Sequence, residues 1–163
     1  MASSPRSWTF TEALSVYELA PDMMASDVLL VAYAKELEAE QFYAHWADVI
    51  EDPDAHRVLL GLSQDEVGHQ KALARIYEEM TSGDDIGGYL IGVPPVEEHV
   101  FDPAAGPREV LESAAQAERE AVAFYGQVAT SPMYTFMAVE FEKLARIEEG
   151  HLGRILRLLK EME

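Results

Sequence analysis

The sequence predicts an all-α protein, a four-helix bundle built from two helical hairpins joined by a long crossover. Three observations lead there. Four long segments carry apolar side chains at helical spacing. Short turns link the first two and the last two, which makes each pair antiparallel neighbours, while 27 residues (81–107) separate the pairs. The second half also repeats the first at an offset of 82 residues, without a gap.

The elements follow in order. Residues 1–25 are an N-terminal segment in which TFTEALSVYELA fits one short helix before Pro21. Residues 26–163 are the bundle. Ser26 and Asp27 read as the cap of a first helix over about 27–51. EDPD, from Glu51 to Asp54, is a tight turn, and a second helix follows over about 54–80. The next stretch, TSGDDIGGYLIGVPPVEEHVFDPAAGP, is rich in Gly and Pro and has no helical period, so it is the crossover. Pro107 suits the first turn of a third helix, about 107–129. Ser131 and Pro132 are a second cap pair, opening a fourth helix that runs almost to Glu163.

Composition narrows the function classes. With 163 residues the chain can bury one sizeable core. It has no cysteine, which excludes disulfides, thiolate zinc sites, iron–sulfur clusters and a cysteine nucleophile. Lys and Arg number 12 against 30 Asp and Glu, a formal charge of −18. Nucleic acid and anionic membranes are poor partners for such a surface, and cations are good ones. The N-terminus lacks an apolar signal region, and VLLVAYA, the longest apolar run, is too short to span a bilayer. A soluble, cytoplasmic protein is expected.

The repeat carries the chemistry. VLLVAYAKELEAEQFY (28–43) aligns with VLESAAQAEREAVAFY (110–125), pairing Glu36 with Glu118 and Tyr43 with Tyr125. The same offset aligns EVGH (66–69) with EEGH (148–151). Each helix has an apolar stripe interrupted by these residues: Glu36 on the first, Glu66 and His69 on the second, Glu118 on the third, Glu148 and His151 on the fourth. All six side chains should therefore point into one core at comparable height. Four buried carboxylates cannot stay ionised together without compensation. Two divalent cations would neutralise them, and residues three apart on a helix are near enough to serve one dinuclear centre. A Glu from each of two helices with Glu-x-x-His from the other two is the ligand set of the di-iron and di-manganese carboxylate bundles.

Other residues read more plainly. Tyr43 and Tyr125 lie on the site face two turns along and suit hydrogen bonds to site carboxylates or electron relay, or simple core packing. Glu38, Glu40, Glu120, Asp65 and Glu149 fall off the stripes and should be solvated, as should His45, His56 and His99. Gly68 and Gly150 suggest close helix packing, including packing across a dimer, and the Met residues read as core filler.

The motifs ELEAEQFY and EREAVAFY, with Glu-x-x-His in DEVGHQ and EEGHLG, resemble the rubrerythrin branch of the ferritin-like superfamily over about residues 27–162. The resemblance implies a ferritin-like bundle with two iron ions, or manganese or a mixed pair, held by Glu36, Glu66, His69, Glu118, Glu148 and His151. It implies reduction of hydrogen peroxide or dioxygen. Rubrerythrins proper add a cysteine-ligated rubredoxin domain, so electrons would come here from a separate, rubredoxin-like donor. Ala121 stands where many rubrerythrins carry a further carboxylate, which makes the site equally similar to a bacterioferritin ferroxidase centre. Against that relative, Val67 replaces its haem-ligating Met, and the chain ends too soon after His151 for a cage-forming fifth helix. The expected function is a rubrerythrin-like peroxidase, with a ferroxidase or a non-catalytic metal-stabilised bundle as alternatives, and the expected assembly is a homodimer.

Overall fold

The computed structural model describes residues 23–86 and 104–163. Among these residues there are four α-helices and no strand: α1 (Ala25–Val49), α2 (Pro53–Thr81), α3 (Pro107–Thr130) and α4 (Ala138–Glu161). A 3-10 turn, Pro132–Met137, leads into α4. α1 packs on α2 and α3 on α4, and α2 also meets α4. This is the four-helix bundle of two hairpins that the sequence predicts. The short helix expected within residues 1–25 and most of the crossover lie outside the described residues.

Local chemistry accounts for the helix ends. The Asp52 side chain accepts the Ala55 N–H at 2.8 Å, and Pro53 fills the first helical position of α2. Such a cap contributes about 1 kcal/mol. α2 stops where Ser82 and Gly83 enter the left-handed region, with φ of 62° and 114°. Pro107 opens α3 as expected.

Two helix starts differ from the sequence reading. Ser26 does not cap α1, whose N-cap is Met24. Met23 is buried and its carbonyl accepts the Tyr134 hydroxyl, so the chain is anchored ahead of Ser26 and the helix begins earlier. Ser131 does cap, accepting the Met133 N–H at 3.3 Å, but what it caps is the 3-10 turn. Tyr134 leaves helical geometry (φ −123°, ψ 31°) to bury its ring, which delays α4 to Ala138.

The apolar core is split into two clusters. One contains Val28, Leu29, Ala32, Tyr125 and Leu144. The other contains Val110, Leu111, Ala114, Tyr43 and Leu62. Each residue in one set is the repeat mate of a residue in the other, so the two hairpins are related by a pseudo-dyad that exchanges the clusters. Each buried Leu contributes about 1.5–3 kcal/mol. These two apolar layers are what hold a polar layer between them.

Some smaller expectations change. Met23 and Met137 are core residues, but Met24, Met133 and Met162 are exposed, because they sit at a cap, on the outside of the 3-10 turn and at the end of α4. A Cβ at Gly68 or Gly150 would meet nothing within 4 Å, so neither glycine serves a close approach among the described residues. His56 is exposed, while His45 is half-buried with its ring edge-on to Trp46. His99 lies outside the described residues.

Candidate metal centre

All six residues singled out by the repeat meet between the two apolar layers. Glu36, Glu66, His69, Glu118, Glu148 and His151 are each no more than 5% exposed. They form two overlapping groups of four, Glu36–Glu66–His69–Glu148 and Glu66–Glu118–Glu148–His151, each with donor atoms within 4.8 Å of one another. Glu66 and Glu148 belong to both groups. Helical period explains the convergence, since Glu-x-x-His puts both side chains of a pair on one face.

The contacts do not resemble a satisfied polar core. His69 Nδ1 lies 3.3, 3.0 and 3.1 Å from oxygens of Glu36, Glu66 and Glu148. One N–H cannot serve three acceptors. His151 Nδ1 is 3.1 Å from Glu66 and 2.8 Å from Glu148, yet it has no aligned hydrogen bond. The Oε2 atoms of Glu66 and Glu148 are likewise buried without a hydrogen-bond partner. Unmet donors and acceptors of this kind are costly, about 1–3 kcal/mol each. Separations near 3 Å are also the spacing of adjacent ligands around an octahedral cation with bonds of about 2.1 Å. The donor set, carboxylate oxygens with one imidazole per group, suits a divalent first-row metal.

Electrostatics points the same way. Burial and the charge on Glu36 push Glu66 up to about 9 and Glu148 up to about 8. Burial would raise Glu36 too, but hydrogen bonds from Glu66, His69 and Tyr125 outweigh it and hold Glu36 at about 2. Burial opposes charge on both imidazoles, yet the surrounding glutamates raise them, His151 to about 12. Without metal, protons do the work of neutralising the cluster.

The surrounding shell is symmetric in one respect and lopsided in another. The Tyr43 hydroxyl, on α1, donates to Glu118 on α3, and the Tyr125 hydroxyl, on α3, donates to Glu36 on α1. These tyrosines therefore touch the carboxylates, as the first of their two sequence readings had it. Burial and the neighbouring Glu118 charge keep the Tyr43 hydroxyl protonated.

Asp65 corrects the sequence reading, which left it to solvent. Its Oδ2 is 3.2 Å from His151 Nε2 and 2.7 Å from the Arg154 guanidinium. With His151 neutral, that contact would keep the proton on Nε2 and leave Nδ1 for the cluster. The 82-residue offset carries Asp65 onto Ile147, so His69 has no corresponding carboxylate among the described residues. The signal for Asp65 was its place directly before Glu66, but only packing across hairpins brings it to His151. Glu40 is also half-buried and accepts a 2.6 Å hydrogen bond from Gln70, whereas Glu120 and Glu149 are exposed as expected. A cavity between α1 and α3 reaches all four site carboxylates from outside.

Fold and site together define the class: a ferritin-like four-helix bundle whose buried carboxylate–histidine cluster is suited to metal. The comparisons agree. Residues 27–96 match the family model described as Rubrerythrin, which is consistent with a rubrerythrin-like protein, and no rubredoxin domain is evident among the described residues. The match covers α1 and α2, and the internal repeat relates α3 and α4 to that same matched hairpin. Neither the curated proteins nor the solved structures returned a match. No helix among the described residues is long and apolar enough to cross a membrane.

Proposed function

We propose that the chain is a non-haem di-iron oxidoreductase that reduces hydrogen peroxide or dioxygen in the cytoplasm, with electrons from a separate donor protein. The observation that carries this reading is the pair of four-donor groups sharing Glu66 and Glu148. Two iron ions bound there would together supply two electrons, enough to cleave the bond of a peroxide or to take dioxygen to the peroxide level.

The chain's own residues have definable parts in it. Glu66 and Glu148 would help to hold both ions, since each faces both histidines. Glu36 with His69 and Glu118 with His151 would complete one side each. Tyr43 and Tyr125 hold the outer carboxylates by hydrogen bonds and stand as proton donors at Oη. Asp65 orients His151. The apolar layers cover the cluster on two sides, and the cavity between α1 and α3 reaches it from a third.

The test is anaerobic loading with ferrous iron, then a stoichiometric peroxide pulse followed by absorbance. Two irons per chain, oxidised rapidly by peroxide and lost in Glu66→Ala, are expected. Fast reaction with dioxygen and slow reaction with peroxide would favour a ferroxidase, a reading supported by Ala121 at the position of the further carboxylate. Metal that only stabilises the fold, with no turnover, would make the chain a non-catalytic bundle.

A further inference from the structure

The cavity between α1 and α3 has a volume of about 240 Å³. Its inner end is formed by Glu36, Glu66, Glu118 and Glu148, and neither histidine lines it. Glu66 and Glu148, whose buried Oε2 atoms have no hydrogen-bond partner, are among those residues. The walls are apolar and mostly small: Ala39, Ala114, Ala117 and Ala121, with the Phe42 ring. Exposed Glu120 and the Lys35–Glu38 ion pair, at 3.7 Å, supply its other charged residues.

The cavity breaks the pseudo-dyad. Phe42 and Tyr43 line it, but their repeat mates Phe124 and Tyr125 do not, being buried in the opposite apolar layer. It therefore opens on the half of the cluster where Tyr43 meets Glu118. Size then matters. Dioxygen or peroxide needs the room of one or two waters, roughly 30 Å³ each in the liquid. An apolar cavity of about 150 Å³ is enough to bind benzene. Alanine walls and a phenyl ring around a larger space give an apolar body somewhere to lie.

We propose that this cavity is a second binding site, for a small uncharged organic molecule about the size of a substituted benzene, with its polar end toward the carboxylate cluster. Charge selects the class. With Lys35 offsetting Glu38, an organic anion would still have to pass Glu120 to reach Glu36 and Glu118, and an organic cation would compete with metal at the cluster. The destination of the polar end rests on the metal-centre reading above, whereas the seat of the apolar body does not.

The test is binding of 4-fluorobenzyl alcohol to zinc-loaded protein by fluorine NMR, with zinc counted in the same samples. Saturable binding in the millimolar range is expected, as suits so few atoms. Ala121→Phe, which fills the cavity, should weaken it at least tenfold with the zinc count unchanged. Ala117→Leu, at an exposed position that folding tolerates, should weaken it several-fold, and 4-fluorobenzoate should bind at least tenfold more weakly than the alcohol. Absence of saturable binding to zinc-loaded wild type would overturn the proposal, as would binding that both variants leave intact. Saturable, variant-sensitive binding without zinc uptake would support the cavity and count against the metal centre instead.

Discussion

Tyr43 on α1 donates its hydroxyl to Glu118 on α3, and by the pseudo-dyad Tyr125 on α3 donates to Glu36 on α1. Each hairpin thus holds a carboxylate of the other. A hydrogen bond to a charged group contributes about 1.5–3 kcal/mol, and shell partners of metal ligands set affinity by about 10–100-fold. Tyr43→Phe and Tyr125→Phe should each lower metal affinity by about tenfold, measured by competition with a chelator. Unchanged affinity in both variants would return the tyrosines to a packing role.

Glu66 and Glu148 are shared between the two donor groups, while Glu36 and Glu118 each serve one. Substitution should divide accordingly. Glu66→Ala should abolish binding of both metals, and Glu118→Ala should leave about one per chain. Elemental analysis after desalting reads the difference. Equal losses in the two variants would argue against Glu66 serving both donor groups.

The lopsided contact at Asp65 makes the two halves inequivalent. Asp65→Ala should weaken one of two cobalt-binding steps by about 10–100-fold and leave the other near its wild-type value. The cobalt absorption spectrum of the affected step should change with it, which loss of fold stability alone would not do. Asp65→Asn, able to accept from His151 but not to pair with Arg154, should restore part of the affinity.

Protons and metal compete for the cluster, so stability should depend on pH without metal and lose that dependence with it. Glu66 and Glu148 keep their protons up to about 9 and about 8 when folded, against an ordinary 4.5. The folded state then binds more protons than the unfolded, and stability falls as pH rises from about 4.5 toward 9. His151 adds to the trend, its contribution whole below 6.5 and lost toward about 12. Glu36, held at about 2, acts only in acid, where stability is lost as pH falls below 4.5. Each proton accounts for about 1.4 kcal/mol per pH unit. The Tm of metal-free protein should drop between pH 6.5 and 9, and metal loading should remove the drop. Loading at pH 7 in weak buffer should also release protons, drawn from Glu66, Glu148, His69 and His151. A metal-free Tm that rises over this range would contradict the proton-neutralised cluster.

What the sequence determined by itself was periodic. Helical spacing and turn residues set the four helices, because an apolar stripe must be buried wherever the chain goes. The offset of 82 identified all six cluster residues, since a polar residue on such a stripe, repeated on its mate, has one place to point. Tertiary structure decided what crosses between elements. The burial of Tyr134 turned the start of the fourth helix into a 3-10 turn, and the anchoring of Met23 moved the cap of the first. Asp65 reached His151 only because the second and fourth helices meet, while its repeat mate Ile147 offers His69 no such contact. The cavity beside Glu118 likewise arises where small side chains of two distant helices face each other. Periodicity is a property of one helix at a time, whereas asymmetry between two nearly equal halves exists only once they are packed together.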